Sequence, residues 1–123
     1  MDTRLKTGIV ATLISFSAIA HAEQMTGAKL REWIASNDGA LHLAATMYIV
    51  GVSDDDAFLQ VGEQEGLIKS SGGPTHTCPA RRAKGEAMRQ SVARFIDEKP
   101  EYRNEAAVLA VRGALMRDYP CSN

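Results

Sequence analysis

The chain has 123 residues, with 14 Lys and Arg against 15 Asp and Glu for a net charge of −1. That length holds one domain at most. The near-neutral balance gives neither nucleic acid nor an anionic membrane surface an electrostatic hold.

From the N-terminus, residues 1–22 read as a secretory signal peptide. Arg4 and Lys6 form a basic start, "GIVATLISFSAIA" at 8–20 is an uncharged apolar stretch, and "AHA" at 20–22 supplies the small-x-small cleavage pattern. The competing reading, an uncleaved anchor, needs about 20 mostly apolar residues to cross a hydrocarbon core, and this stretch is 13 residues long. Residues 23–123 are then expected to be a single α-helical domain carrying 12 basic and 14 acidic side chains. A domain of that size buries only about two-thirds of its unfolded surface, so a covalent staple adds usefully to its stability. Both cysteines survive cleavage and reach an oxidising compartment. An even count of two in that setting predicts one disulfide, Cys78–Cys121.

Four helical segments follow, with little alternation to support strands. The first starts after Thr26, a suitable N-cap, and places Leu30, Trp33 and Ile34 on one face. "SNDG" at 36–39 breaks it. The second, "ALHLAATMYIVGV" at 40–52, carries Leu41, Ala45, Tyr48, Ile49 and Val52 as a helical stripe, widened by Leu43, Ala44 and Met47. Its nearly all-round hydrophobicity predicts a central buried helix, continued or fringed by "SDDDAFLQV". Gly51 costs about 1 kcal/mol against Ala in a helix, and close approach of a neighbouring helix is the expected reason for it. Residues 61–82 form a long irregular connection in which Gly72, Gly73 and Pro74 oppose a helix. Connections of such length are often functional. A third helix is expected from about Gly85, with Met88, Val92, Phe95 and Ile96 facing inward and Pro100 as its stop. The fourth is expected from a cap near Asn104, burying Ala107, Val108, Val111 and Leu115 and ending at Pro120. The short link between the last two predicts an antiparallel hairpin, whose open end Cys78 and Cys121 would close. The fold class expected is therefore all-α, a small four- to five-helix domain with one disulfide closing the last two helices.

Candidate chemistry is sparse. "HTC" at 76–78 invites a metal site or a cysteine nucleophile with a histidine base. A structural zinc site needs four ligands, and the other histidine after residue 22 is His42 on the second helix. A cysteine held in a disulfide is no nucleophile. Asp54, Asp55 and Asp56 lack the calcium-loop spacing and read as a solvated helix end. "RRAK" at 81–84 has no aromatic stacking partners and reads as a solvated stretch before the third helix. No catalytic triad, phosphate loop or redox motif is present in the sequence. A binding protein that is not an enzyme, with no cofactor or metal, is the expectation.

The order and spacing of several short motifs resemble the Rap/Tai-type immunity proteins of bacterial type VI secretion. Gly27, Leu30 and Trp33 match that family's opening helix, and Tyr48, Ile49, Gly51, Val52 and Asp54 its second. Cys78 with Pro79 matches the lead into its third helix, and Pro100, Glu101 and Arg103 its turn. Ala114, Leu115, Tyr119, Pro120 and Cys121 match its ending. The resemblance implies a periplasmic inhibitor, often a homodimer, of a secreted peptidoglycan amidase that is a papain-like cysteine peptidase. It further implies that a protruding loop enters the toxin's cleft. On this sequence that loop is the connection between the second and third helices, with Glu63, Glu65, Lys69, Ser70, Ser71 and His76 as expected contacts. A small periplasmic helical chaperone or envelope-stress protein, binding through exposed apolar surface, is the alternative.

Overall fold

The computed structural model describes residues 24–69, 76–79 and 83–121. The expected signal peptide, and Ser70, Ser71, Arg81 and Arg82, lie outside these residues. The described chain is built from helices α1 (Gly27–Ala35), α2 (Gly39–Gln64), α3 (Gly85–Glu98) and α4 (Ala107–Asp118). A 3₁₀ turn at Pro100–Asn104 joins α3 to α4. Among the described residues, β pairing is confined to two isolated antiparallel bridges, Thr26 with Ala106 and Thr77 with Pro120. The expected all-α domain with a Cys78–Cys121 disulfide is what forms, with the two Cα atoms 4.8 Å apart.

Thr26 caps α1 as its sequence predicts, accepting from the Lys29 N–H at 3.2 Å. Asp38 does the same for α2, accepting from Ala40 N–H at 2.9 Å. Leu30, Ile49, Val92, Ile96, Val111 and Leu115 are fully buried, and Phe95 is nearly so. They come from all four helices, and each contributes roughly 1.5–3 kcal/mol by leaving water. Trp33, Tyr48 and Val52 are partly buried and pack against that core. The most extensive helix pairing is α3 on α4.

Four expectations need correction. The helix continues a turn further than the reading of the connection allowed, so α2 ends at Gln64 and the connection begins at Glu65. Its end is a Schellman motif: Gly66 has φ +72°, and the N–H groups of Leu67 and Gly66 reach back to the carbonyls of Gly62 and Glu63 at 2.8 and 3.2 Å. That stop signal, "EQEG", is short and local, and a count of glycines over the whole stretch obscures it.

Nor is α2 buried all round. Leu43, Met47, Phe58 and Val61 are 62, 61, 68 and 56% exposed. Their spacing puts them on one side of the helix, away from the core.

Gly51 lies on the exposed surface, and nothing is within 4 Å of where its Cβ would sit. Among the described residues, no other helix approaches it. The tight approach is at Gly27, whose Cβ would fall 2.1 Å from the Tyr102 carbonyl oxygen. There the start of α1 passes directly under the 3₁₀ turn.

Asn104 does not cap α4. The helix starts at Ala107 with no side-chain cap, because backbone carbonyls serve its first donors instead. Ala107 N–H donates to the Met25 carbonyl at 2.8 Å, and Leu109 N–H to the Ala106 carbonyl at 3.0 Å. The turn itself is held by Phe95 edge-on to Tyr102, with ring centroids 4.9 Å apart.

Candidate functional site

The last turns of α2 carry Asp56, Gln60 and Glu63 at i, i+4 and i+7, which puts them on one face. The segment 76–79 lies against that face. Asp56 is 1% exposed, and its Oδ2 accepts from the Thr77 N–H at 2.8 Å and from Gln60 Nε2 at 2.9 Å. Its Oδ1 meets His76 Nδ1 at 3.0 Å. The other ring nitrogen, Nε2, meets Glu63 Oε2 at 2.8 Å. Gln60 Nε2 also donates to the Thr77 carbonyl at 2.9 Å, and its Oε1 lies 3.7 and 3.6 Å from the two disulfide sulfurs. From α4, Arg112 approaches Asp56 at 3.8 Å and Asp55 at 3.5 Å.

The electrostatics follow from this geometry. Burial opposes the charge on Asp56, but hydrogen bonds from His76, Thr77 and Gln60 outweigh it and hold the carboxyl below its ordinary value. The hydrogen bond to Asp56, then that to Glu63, raises the His76 imidazole above its ordinary 6.5 against the cost of burial. Each partner favours the charged form of the other.

The network ties the disulfide to α2. Cys78 N–H donates to the Tyr119 carbonyl at 2.8 Å, so segment 76–79 is held by α2 on one side and by the end of α4 on the other. The residues expected as contacts separate accordingly. Glu63 and His76 are 20% exposed and bonded to each other. Glu65 is the exposed C-cap of α2, and Lys69 is exposed. Ser70 and Ser71 lie outside the described residues.

Asp56 overturns the reading of the three aspartates as a solvated helix end. Asp54 and Asp55 are exposed, while Asp56 is buried at the centre of the network. The missed residues are Asp56, Gln60, Thr77 and Arg112. A signal existed: the stripe Ala45, Ile49, Ser53, Asp56, Gln60 and Glu63 keeps helical spacing while turning from apolar to polar. A buried polar stripe demands partners, and His76 and Thr77 supply them.

Both cysteines are in the disulfide, so neither a thiolate nucleophile nor a Cys78 metal ligand is present. What this arrangement can do is fix the two roots of the α2–α3 connection. At one root is the Gly66 motif, at the other the His76–Asp56 network with its disulfide.

The family profile of Rap1a immunity proteins matches residues 26–121, from the cap of α1 through Cys121. Comparisons with curated proteins and with solved structures find no match. Both cysteines and every motif that carries the resemblance fall within the matched span. The chain belongs to the Rap1a immunity protein family.

Proposed function

We propose that this protein is a periplasmic immunity protein that binds and inhibits a type VI secreted peptidoglycan amidase, with the α2–α3 connection entering the toxin's active-site cleft. The observation that carries the reading is the family match over residues 26–121. An immunity protein acts by binding its cognate toxin, and a non-enzymatic inhibitor needs only occlusion. Loop insertion is supported by the way the connection is rooted. An inserted segment loses less entropy on binding when its ends are already fixed, and both roots here are fixed. Glu65 and Lys69 are exposed just beyond the first root, where they can form a polar rim.

A homodimer is part of the proposal. The exposed stripe of Leu43, Met47, Phe58 and Val61 on α2 is the surface assigned to a second copy, and the open space at Gly51 lets a helix come close. Phe58→Glu is expected to give a monomer by sedimentation. An unchanged mass would remove this face from the interface.

Periplasmic co-expression with a candidate cysteine peptidase toxin from the same genome tests the main reading. Rescue of growth and co-elution on gel filtration are expected, and loss of both overturns it. Replacing residues 69–75 with a neutral linker, with His76 kept so that the root stays anchored, is expected to abolish toxin binding. Unchanged binding would move the contact elsewhere. The second reading, a helical chaperone or envelope-stress protein, is favoured by the same exposed stripe on α2. It requires suppression of aggregation of unrelated proteins at acid pH.

A further inference from the structure

His76 has a carboxylate oxygen at each ring nitrogen, Asp56 Oδ1 at 3.0 Å and Glu63 Oε2 at 2.8 Å. A neutral imidazole carries one N–H, and its other nitrogen presents a lone pair. Set against a carboxylate at this distance, that lone pair repels. Only the imidazolium can donate to both. We propose that His76 is a protonation latch: charged, it bridges Asp56 and Glu63 and locks residues 76–78, with the Cys78–Cys121 disulfide, onto the last turns of α2; neutral, it releases one carboxylate.

Glu63 is the carboxylate released. Asp56 is buried and also accepts from Thr77 N–H and Gln60, and it faces the Arg112 guanidinium of α4 at 3.8 Å. Its position is determined without Glu63. The Glu63 side chain is 20% exposed and can turn to water. Among the described residues, charges around the ring come from Asp56 and Glu63 on α2 and, through Asp56, from Arg112 on α4. With the latch closed, the imidazolium and Arg112 together balance the two carboxylates that face the ring. The raised imidazole titration described above agrees with the geometry.

The latch belongs to the free chain and does not rest on the identity of the toxin. It makes the hold on residues 76–78 depend on ambient proton concentration. Any partner contact by Glu63, which does rest on the proposed function, is set by the same proton.

The test is nitrogen-resolved NMR of the His76 ring in the full chain, from about pH 5 to about pH 9, with hydrogen exchange at the Thr77 amide. Two protonated ring nitrogens are expected at the acid end, with a titration above 6.5. Protection of Thr77 is expected to fall by up to about tenfold per pH unit across that titration, and His76→Gln should flatten the dependence. Glu63→Gln, a change at a partly exposed position that should leave the fold intact, is expected to lower the His76 titration. Asp56→Asn should lower it further where it folds, and Glu63→Gln decides the matter where it does not. A His76 titration at or below 6.5, one unmoved by Glu63→Gln, or a Thr77 dependence unchanged in His76→Gln overturns the latch.

Discussion

In its first half α2 buries Ala45 and Ile49, whereas in its second half the buried positions are Ser53, Asp56 and Gly62. The first half is held by contact with Leu30, Val92 and other aliphatic groups of the core, an attraction that is non-directional and indifferent to protonation. The second half is held by directed bonds to Thr77 and His76 and by an ion pair with Arg112, each dependent on a charge or a fixed angle. One helix thus serves two purposes. Its apolar half builds the domain, and its polar half positions residues 76–79. An apolar face would also bury the second half, but it would not fix where residues 76–78 sit, because apolar contact specifies position less sharply than paired hydrogen bonds do.

The largest expected effect comes from opening the staple that the polar half leans on. Replacing Cys78 and Cys121 together by Ser frees a loop with a sequence separation of 43, for a loss of about 4 kcal/mol in the chain-entropy account. Urea unfolding measures it. A loss below about 1 kcal/mol would mean that residues 76–79 are held by α2 without help from the bond. On the apolar side, Ile49→Ala deletes a fully buried side chain and is expected to cost about 3 kcal/mol. The comparison demands that this loss be the same at pH 5 and pH 8. A clear pH dependence would mean that the two halves are not energetically separate.

The apolar half was legible in the sequence and the polar half was not, for physical reasons. Periodic apolar residues report burial directly, so Leu30, Ile49, Val92, Phe95 and Leu115 could be placed inside from spacing alone. Local capping chemistry was equally readable at Thr26, where one oxygen and one N–H lie three residues apart. Asn104 looked like the same signal, but the first N–H of α4 is taken by the carbonyl of Met25, far away in the chain. Asp56 failed in the same way, since its partners His76 and Arg112 lie 20 and 56 positions on. The helical stripe that carries Asp56 shows that the residue faces inward, but no spacing names the distant groups that meet it. The disulfide was the exception, because two cysteines allow one pairing. Of the expected contacts, Glu63 and His76 proved to be joined to each other, a pairing that counting polar residues in a loop could not give.

Asp56→Asn attacks the polar half at its centre. The amide keeps the size but loses the charge, and it presents an N–H group toward donors already facing that position. A loss of about 2 kcal/mol is expected near pH 5–6, and it should shrink on both sides of that range. The Asp56 carboxyl is held below its ordinary 3.8 in the folded chain. Its contribution is therefore complete above that value and lost as pH falls through the folded one. The His76 imidazole is raised above 6.5, so its contribution is complete below 6.5 and lost as pH rises through the raised value. Both contributions are complete together only between about 4 and 6.5, and each fades beyond it as pH passes the folded value. Paired urea titrations of wild type and variant measure the difference. A gap that stays constant with pH would leave Asp56 a packing residue.

Glu63→Gln should have the smallest effect on stability and the clearest one on the comparison. The side chain is partly exposed, and its ion pair with His76 is screened by water, so a loss under about 0.5 kcal/mol is expected near neutral pH. Yet Glu63 is the second of the two groups that raise the imidazole. Its carboxylate removed, His76 gives up its proton at lower pH, and the alkaline arm of the stability profile moves toward acid while the acid arm, governed by Asp56, stays where it is. A shift of one arm alone separates a latch made of two carboxylates from a general loss of charge, which would move both. If both arms move together, Glu63 is not separable from Asp56, and the last turns of α2 form a single buried site instead of an anchored residue with a releasable neighbour.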